Sequence, residues 1–301
     1  MRMTETSPSQ QAQTKKYFGQ HALDWQRHAS GVGYTVIENR HRAVHEIIRA
    51  HPVATDFLDV GCGTGQLAIE VAGQGIRATG TDFAPEMIAQ CEENNRRADT
   101  HATFRTESIF DTPIPAEAYD VISAQGFIEY ISLAQLSQFF DMVRGGLRTG
   151  GVFALGSRNR LFNLHALNSF TTLEQALGTT EHLLTEAIIL QSAGSQAEAV
   201  EALGRLEFIY PQPTHHPTTG IAVDTRYQFS PADLIKRLKA HGLETTRILP
   251  VHFHALPVSR INSPNLQGVH ETIATLVSEQ RITDHALVPY SSSFVIEAKA
   301  V

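Results

Sequence analysis

The chain has 301 residues, which is long for one plain domain and short for two large ones, so we expect one core domain with an inserted or appended subdomain. Its formal net charge of −7 provides no basic surface for a phosphate backbone, so we expect no nucleic-acid partner. The two cysteines, Cys62 and Cys91, lack metal-binding spacing, and the polar N-terminal residues and the absence of a long apolar run predict a cytoplasmic protein without a membrane partner.

The predicted elements begin with a polar segment. Residues 1–15 are rich in Gln, Ser and Thr and are predicted to form a disordered tail. Two amphipathic helices follow, and from residue 57 onward short apolar strands alternate with helices. The strands are predicted at residues 57–60, 76–81, 102–105, 119–124 and 152–155, and the helices between them at 65–72, 85–96 and 133–147. Repeated β-α-β units of this kind predict a parallel sheet covered by helices on both faces.

The alternation stops after the fifth strand. Residues 161–224 are mostly helical until a proline-rich stretch, residues 211–217, forces an extended loop. We interpret this block as a helical cap inserted above the carboxyl edge of the sheet, where open α/β sheets bind their ligands. The core resumes with a helix that begins at Ser230, and strands at residues 245–254 and 292–298 are predicted to close the sheet as a hairpin.

The most specific feature is the segment FLDVGCGTGQ, residues 57–66, in which an apolar strand, an acid and a glycine loop lead into a helix. Glycines allow tight backbone angles and leave room for a ligand against the strand ends. A dinucleotide site would prefer the spacing G-x-G-x-x-G, whereas here Gln66 replaces the third glycine and Asp59 would repel a pyrophosphate. The loop therefore favours a ligand that is positively charged at an amino-acid end.

This segment resembles motif I of the class I methyltransferases that depend on S-adenosylmethionine (SAM). The resemblance implies an α/β fold with a Rossmann-like, seven-stranded, mostly parallel sheet, helices on both faces and, here, a helical cap insertion. It also implies SAM as the cofactor. The residues that would hold the methionine part of SAM are Asp59, Gly61, Cys62, Gly63 and Gly65. The alternative is a glycine turn in an unrelated α/β protein.

The resemblance also implies a domain organisation. Residues 16–160 and 225–301 would form the SAM-binding domain, and residues 161–224 would form the cap over the acceptor site. The likeness is good over residues 55–160 and looser over residues 226–301.

Two more acidic residues fall where the resemblance requires them. Asp82 ends the second predicted strand, where the family's carboxylate accepts the ribose hydroxyls; the alternative is an ordinary helix-capping Asp. Glu107 follows the third strand, where the family carries an acid beside the adenine; the alternative is a surface Glu. The other cofactor contacts implied by the resemblance are Phe83, Met87, Ser108, Ile109, Ala124 and Gln125.

Methyl transfer from SAM mainly requires that the acceptor be held in line with the departing sulfur, away from water. An alcohol or phenol acceptor also needs a base, whereas a carboxylate or thiolate does not. His254 is the candidate base, and the alternative is a hydrogen-bonded structural histidine. Tyr130 is a second catalytic candidate, at a position where many small-molecule methyltransferases carry a His after a Glu. No His and carboxylate cluster has metal-ligand spacing, so we expect no metal.

The sequence indicates less about the acceptor than about the cofactor. Arg158, Asn159 and Arg160 follow the fifth strand and are candidates for holding an anionic or hydroxyl-rich acceptor; the alternative is a polar loop that faces water. The chain lacks the Asn/Asp-Pro-Pro-Tyr motif of enzymes that methylate planar amines. We therefore predict methylation of a small molecule at oxygen, for which a saccharide or another hydroxylated metabolite is a candidate. The alternatives are a protein side-chain methyltransferase and a non-catalytic SAM-binding protein, and a homodimer is left open.

Overall fold

Seven strands form one sheet at the centre of the part of the chain that the computed structural model describes, residues 8–21, 35–213, 217, 226–261, 263 and 265–301. In chain order the strands are β1 Asp56–Val60, β2 Arg77–Asp82, β3 Thr103–Thr106, β4 Tyr119–Gln125, β5 Leu147–Arg158, β6 Leu243–Phe253 and β7 Ser291–Ala300. Their order across the sheet is β3-β2-β1-β4-β5-β7-β6. Strands β1 to β5 run parallel, and β7 is antiparallel to both β5 and β6. The predicted seven-stranded, mostly parallel sheet is confirmed.

Helices cover both faces of this sheet. They are α1 Pro8–Gln20, α2 Val36–Ala50, α3 Gln66–Ala72, α4 Pro85–Ala98, α5 Leu133–Gly146, α6 Phe162–Ala166, α7 Ser169–Ala176, α8 Thr180–Ser192, α9 Gln196–Gly204, α10 Pro231–Ala240, α11 Val258–Ile261 and α12 Gln267–Gln280, with a 3₁₀ helix at His285–Tyr290. Helices α2, α3 and α4 share a core cluster with Phe57, and α5 and α10 share another with Leu58. Because Phe57 and Leu58 are successive residues of β1, they point to opposite faces of the sheet.

The start of α2 brings an arginine to the carboxyl edge of the sheet. Thr35 has an extended backbone, and its hydroxyl accepts a hydrogen bond from Glu38 N at 3.2 Å, which fixes the N-terminus of the helix. Val36, Arg40 and Val44 then recur every four residues and share one face. Arg40 therefore lies on the face of α2 that packs on the domain rather than on the face toward water.

Helix α1 begins earlier than the sequence predicts. It starts at Pro8, so residues 8–15, assigned above to a disordered tail, are helical. Phe18 packs against Met87, which gives this polar helix a fixed place on the domain. Tertiary packing of this kind supports helices whose own propensity is low. Residues 1–7 of the predicted tail lie outside the described residues.

The helical insertion packs on the sheet rather than over its carboxyl edge. The side chains that α8 and α9 bury in the core cluster shared with α10 and β6 are Leu183, Leu190, Ala199 and Leu203. Of the insertion residues that the structure describes, Phe162 alone lines the large cavity at the sheet edge. For the described residues 161–213, the prediction that this block caps the acceptor site is therefore corrected. Helix α9 packs against β6 and α10, and both α8 and α9 place apolar side chains in the shared core cluster. Residues 214–216 and 218–224 lie outside the described residues.

A buried carboxylate joins the insertion to the core. Glu186 on α8 accepts hydrogen bonds from the hydroxyls of Tyr210, at 2.5 Å, and Ser230, at 2.7 Å, and from Ala232 N at 3.0 Å. Two of these donors belong to the N-terminus of α10, so Glu186 satisfies orphan groups of that helix. Burial raises the pKa of Glu186 to about 7. A fully bonded polar group of this kind fixes the position of α8.

Candidate active site

A large cavity lies at the carboxyl ends of the parallel strands. Its volume is about 1010 Å³, at the upper end of the range of about 300–1,000 Å³ that is usual for small-molecule sites. Side chains from α1 and from the first turns of α2 complete the wall above the strand ends. We call the part lined by Arg158, Phe162, His252, His254, Ser292 and Ser293 the distal chamber. It lies across the sheet from the glycine loop.

The glycine loop forms the opposite end of the cavity. Gly61 and Gly63 have φ angles of 69° and 56°, in the left-handed region that favours glycine. Gly61 N donates a hydrogen bond to Thr81 O at 2.8 Å, which ties the loop to β2. Asp59, Gly61, Cys62 and Gly63 all line the cavity, as predicted from the sequence.

Two predicted cofactor contacts, Gly65 and Ala124, do not line the cavity. Gly65 is the N-cap of α3, and a Cβ atom there would come within 2.8 Å of the Phe104 ring. Its role is therefore to let α3 start close to β3. Ala124 is fully buried in the core cluster under β4. Both positions are corrected from ligand contacts to packing residues.

Asp82 and Glu107 stand side by side at the ends of β2 and β3. Asp82 Oδ2 accepts from Gly63 N at 3.2 Å and Oδ1 accepts from Ala84 N at 2.9 Å, so this carboxylate braces the glycine loop and the turn that precedes α4. Glu107 N donates to Asp82 O at 3.0 Å. Both residues line the cavity, together with Phe83, Met87, Ser108 and Ile109. The predicted set at this end is therefore brought together.

Burial leaves the carboxylates at the loop end ready for a cationic ligand. It raises the pKa of Asp59 to about 7 and that of Asp82 to about 6, and the like charge of Asp82 raises the pKa of Asp59 further. A cation placed beside them would lower both pKa values and would recover the electrostatic cost of their burial. The electrostatics of this end therefore favour a positively charged group.

Two arginines share one buried carboxylate at the centre of the cavity wall. Glu129 is 1% exposed, and its Oε1 accepts from Arg40 Nη2 at 3.1 Å and from Arg158 N at 3.0 Å. Its Oε2 accepts from Arg158 Nε at 2.7 Å. Arg40 Nη2 also donates to Ser293 Oγ at 3.2 Å. All three charged residues line the cavity, so its middle carries two guanidinium groups for one carboxylate.

Sequence reasoning identified Arg158 but missed Arg40 and Glu129. A signal for Arg40 was present, because it interrupts the apolar face of an amphipathic helix between Val36 and Val44. Glu129 had no such signal, because it follows β4 in an irregular segment. Gln125, predicted as a cofactor contact, lines the cavity, and its side-chain amide donates to Ala154 O at 2.9 Å.

The acceptor assignment of Asn159 and Arg160 is corrected. Asn159 Nδ2 donates to Val288 O at 2.7 Å and to Ser291 O at 2.8 Å. Arg160 pairs with Glu174 of α7 through Nε and Nη2, both at 2.9 Å. Both side chains are buried and do not line the cavity. A buried, fully paired guanidinium has no capacity left for a ligand, so only Arg158 of the three faces the site.

His254 lies in the distal chamber and is 5% exposed. Neither Nδ1 nor Nε2 has a hydrogen-bond partner within the described residues. The ring packs on Phe162, with centroids 4.5 Å apart, and on His270 at 5.4 Å. Burial, followed by the neighbouring imidazoles, lowers the pKa of His254 to about 3. The ring is therefore neutral at physiological pH and is a weaker base than the sequence led us to expect.

Tyr130 lies between the two ends of the cavity. Its ring meets Phe18 of α1 edge-to-face, with centroids 5.2 Å apart. Burial, and then the adjacent Glu129 charge, raise the pKa of Tyr130 far above its usual value. The hydroxyl therefore stays protonated, so it can orient a ligand by hydrogen bonding but does not supply a phenolate base.

Among the residues that the structure describes, no group of three or more His, Cys, Asp or Glu side chains is arranged to hold a metal ion. Over the same residues, no helix has the length and apolar character needed to cross a membrane.

Known proteins resemble this chain in the region that builds the loop end. Residues 57–151 match the family model described as a methyltransferase domain. A ubiquinone biosynthesis O-methyltransferase from a Methylobacterium strain is 26% identical over 164 residues, which is 54% of this chain and 65% of that protein. A probable S-adenosylmethionine-dependent methyltransferase from Mycolicibacterium smegmatis is 30% identical over 163 residues, 53% of this chain and 59% of that protein.

Residues 57–151 form a methyltransferase domain of the class I SAM-dependent type. This methyltransferase spans 65% and 59% of the lengths of those two relatives. The likeness to them therefore covers the methyltransferase domain and not the whole of either protein.

Solved structures agree on the fold of this methyltransferase. The magnesium protoporphyrin IX methyltransferase of Synechocystis, solved with bound S-adenosylhomocysteine (SAH), superposes with a TM-score of 0.57 at 14% identity, over 97% of this chain and 100% of that one. A Burkholderia thailandensis 1,6-didemethyltoxoflavin-N1-methyltransferase gives the same TM-score and identity over 100% of this chain and 93% of its own. At such low identity the likeness establishes the Rossmann-like fold alone.

Proposed function

We propose that this methyltransferase transfers the methyl group of SAM to an oxygen atom of a small molecule bound in the distal chamber. The observation that carries the proposal is the extent of the cavity. It runs from Gly63 in the glycine loop to His254 in the distal chamber, and its volume of about 1010 Å³ lies at the upper end of the range for small-molecule sites. A cofactor at one end leaves space for an acceptor at the other.

The loop end supports a defined pose for SAM. The methionine ammonium lies near Asp59 and the backbone of Gly61 and Gly63, where a cation is favoured. The ribose hydroxyls lie near Asp82, as an acidic residue receives the ribose in related α/β folds. The adenine lies near Glu107, with Phe83, Met87, Ser108 and Ile109 around it.

Arg40 is the partner we assign to the SAM carboxylate. Its guanidinium lies over Gly126, directly after the end of β4, and beside the glycine loop. A carboxylate bound there forms a charge-assisted pair in a buried site. Glu129 balances the charge of only one of the two arginines, Arg40 and Arg158. The carboxylate of SAM would balance the charge of the other.

In the distal chamber the enzyme acts by position rather than by strong acid–base chemistry. The reacting oxygen must lie about 3 Å from the methyl carbon, in line with the sulfur. Helices α1 and α2 form part of the cavity wall, and exclusion of water from the site would strengthen every interaction inside. Phe162 and the neutral His254 contribute a mainly apolar surface with a few hydrogen-bonding groups, as small-molecule sites generally have.

Oxygen as the methylated atom is supported by two observations. The sequence lacks the Asn/Asp-Pro-Pro-Tyr motif associated with planar amines. Four curated relatives are named ubiquinone biosynthesis O-methyltransferases. A deep cavity with mainly apolar walls supports a small molecule over a protein side chain, which would need an open groove. The space beyond the loop end argues against a SAM-binding protein without catalysis.

The experiment has a binding arm and a transfer arm. Calorimetry should detect SAM and SAH and should give no signal with NAD. Radiolabelled SAM is then incubated with a small-metabolite extract and, in parallel, with a protein extract from the same cells. Label in small products supports the proposal. NAD binding without SAM binding would overturn the cofactor assignment, and label confined to protein would overturn the acceptor assignment.

A further inference from the structure

We propose that the acceptor is an oxyanion, a carboxylate or an ionised phenol, held by Arg158 and His254 and methylated without a general base. This inference rests on the proposed function and names the substrate class of the same site. Arg158 supplies the cation that recognises the acceptor, and His254 supplies a hydrogen bond.

Strand register places Arg158 beyond the level of the cofactor. Gln125 of β4 pairs with Gly156 of β5, and Arg158 lies two residues further along the strand. At a rise of roughly 3.3 Å per residue, Arg158 is about 7 Å past the sheet edge at which Gln125 ends β4. Its partner on β7 is Ser293, on the side away from β2 and β3. Arg158 therefore faces the acceptor side of the site.

Arg158 is anchored at one edge and accessible at the other. Its Nε and backbone N donate to Glu129, which fixes the plane of the guanidinium. The side chain is nevertheless 33% exposed, whereas Glu129 is 1% exposed. A guanidinium held in this way has little rotamer entropy left to lose when it binds an oxyanion.

His254 is a buried polar side chain that is positioned to form a hydrogen bond with a ligand. Its ring is 5% exposed and lines the distal chamber, and neither ring nitrogen has a hydrogen-bond partner within the described residues. A buried polar group without a partner is costly, and a ligand atom at hydrogen-bond distance removes that cost. The neutral imidazole provides one N–H donor, which an oxyanion accepts.

Among the described residues that line the cavity, Glu129, Tyr130 and His254 are poorly suited to take a proton from a neutral alcohol. Both oxygens of Glu129 already accept from arginines, and burial keeps the pKa of His254 low and that of Tyr130 high. The other imidazoles of the described cavity wall each have a hydrogen-bonding partner: His21 with Tyr17 O, His41 with Glu70, and His252 with Ser292 Oγ. An acceptor that arrives ionised requires none of them as a base.

Methyl transfer to an ionised oxygen requires no proton transfer. A lone pair of the acceptor oxygen forms the new C–O bond, and the S–CH₃ bond breaks with its electron pair returning to sulfur. The products are a methyl ester or ether and neutral SAH. One negative and one positive charge disappear together, so a site of low dielectric constant favours the step. A neutral alcohol would instead leave a proton to be placed in the same apolar chamber.

The first test measures binding to the enzyme–SAH complex by calorimetry, with benzoate and its neutral isostere benzamide as probes. We expect benzoate to bind about tenfold tighter or more, as a charge-assisted pair implies. Arg158→Gln should abolish this preference, and Arg158→Lys should restore part of it. SAH affinity in each variant is the control for folding. Equal affinity for the two probes would overturn the inference.

The second test uses radiolabelled SAM and a small-metabolite extract. Products that release label as methanol in mild alkali are methyl esters, and alkali-stable products of acidic phenols are ethers; either supports the inference. At saturating SAM, kcat should be flat between about pH 6 and 9. Methylation of a neutral alcohol, or a His-like pH profile that disappears in His252→Gln or His254→Gln, would contradict the inference while leaving the proposed function intact. If the unmodified protein binds no SAH and transfers no methyl group to any acceptor, the proposed function itself is contradicted.

Discussion

Arg40 lies so close over Gly126 that a Cβ atom at residue 126 would come within 2.5 Å of Arg40 Nη1. Gly126 also has a φ of 70°, which side chains with a Cβ rarely adopt. The end of β4 and the first turns of α2 are therefore fitted to each other through a residue without a side chain. The position of the guanidinium that we assign to the SAM carboxylate depends on this contact.

Replacing Gly126 with Ala should weaken SAM binding about tenfold or more, because the displaced Arg40 loses a charge-assisted hydrogen bond. Calorimetry with SAM measures the effect. The matched control is Gly145→Ala, where a Cβ atom meets nothing within 4 Å and the backbone is helical. That change should leave SAM affinity unaltered and should raise the free energy of unfolding by about 0.5–1 kcal/mol. Unaltered affinity in Gly126→Ala would show that Arg40 does not contact the cofactor.

Asp82→Asn separates two roles of one carboxylate. Asparagine can still accept the hydrogen bond from Ala84 N through its side-chain oxygen, but it carries no charge and offers one acceptor oxygen where the ribose needs two. SAM affinity should drop about tenfold, as loss of a charged hydrogen bond implies, while the melting temperature changes little. Isothermal titration and thermal unfolding measure the two quantities. A lower melting temperature with unchanged SAM affinity would instead make Asp82 a structural cap.

The loop end of the site was predictable because its residues are local in the sequence. Asp59 and the glycines lie in one strand-loop-helix unit, and the conformation of that unit follows from the residues themselves. Asp82 and Glu107 each end the next strands of the same parallel sheet, so the topology alone brings them to one edge. The exceptions, Gly65 and Ala124, lie within the same segments but point into the packing rather than toward the cavity.

The distal chamber was less predictable because long-range contacts build it. Arg40 and Glu129 are 89 residues apart, and neither belongs to a motif that specifies the other. The side chains of Arg158, Asn159 and Arg160 look alike in sequence, yet only the first faces the cavity. The side chains of Asn159 and Arg160 point away from the cavity because they bond to carbonyl groups near residue 290 and to Glu174. The local sequence identifies none of these partners.

The insertion shows a different limit of sequence reasoning. Its helical character was correctly predicted, but the sequence does not say which surface the apolar side chains of these helices will cover. Burial against β6 and α10 and burial over the cavity satisfy the same pattern. Only the three-dimensional contacts of Leu203 and Glu186 distinguish the two arrangements.

Leu203→Ala tests the role of the insertion as part of the core. Leu203 is fully buried with residues of α10 and β6, so the truncation should lower the free energy of unfolding by about 2–5 kcal/mol. Leu184→Ala on the preceding helix is the control, because Leu184 is 51% exposed and should cost little. Chemical denaturation measures both changes. At a temperature where the variants are folded, KM for the acceptor should stay within a few-fold of the parent value; a large rise in KM with normal stability would restore the cap interpretation.

SAM binding should strengthen as pH rises from about 5 to 7.5 and should release protons. In the free protein, burial raises the pKa of Asp59 to about 7 and that of Asp82 to about 6, so both carboxyls are partly protonated in this window. The sulfonium and ammonium of SAM favour the ionised forms and lower both pKa values. Linkage then requires that affinity increase with pH until the carboxyls of the free protein are ionised, and that it level off above that point. Calorimetry in two buffers with different ionisation heats counts the released protons. Asp59→Asn removes the group with the higher pKa and should flatten the upper part of the curve. An affinity that is independent of pH, with no proton release, would mean that neither carboxylate senses the charge of the cofactor.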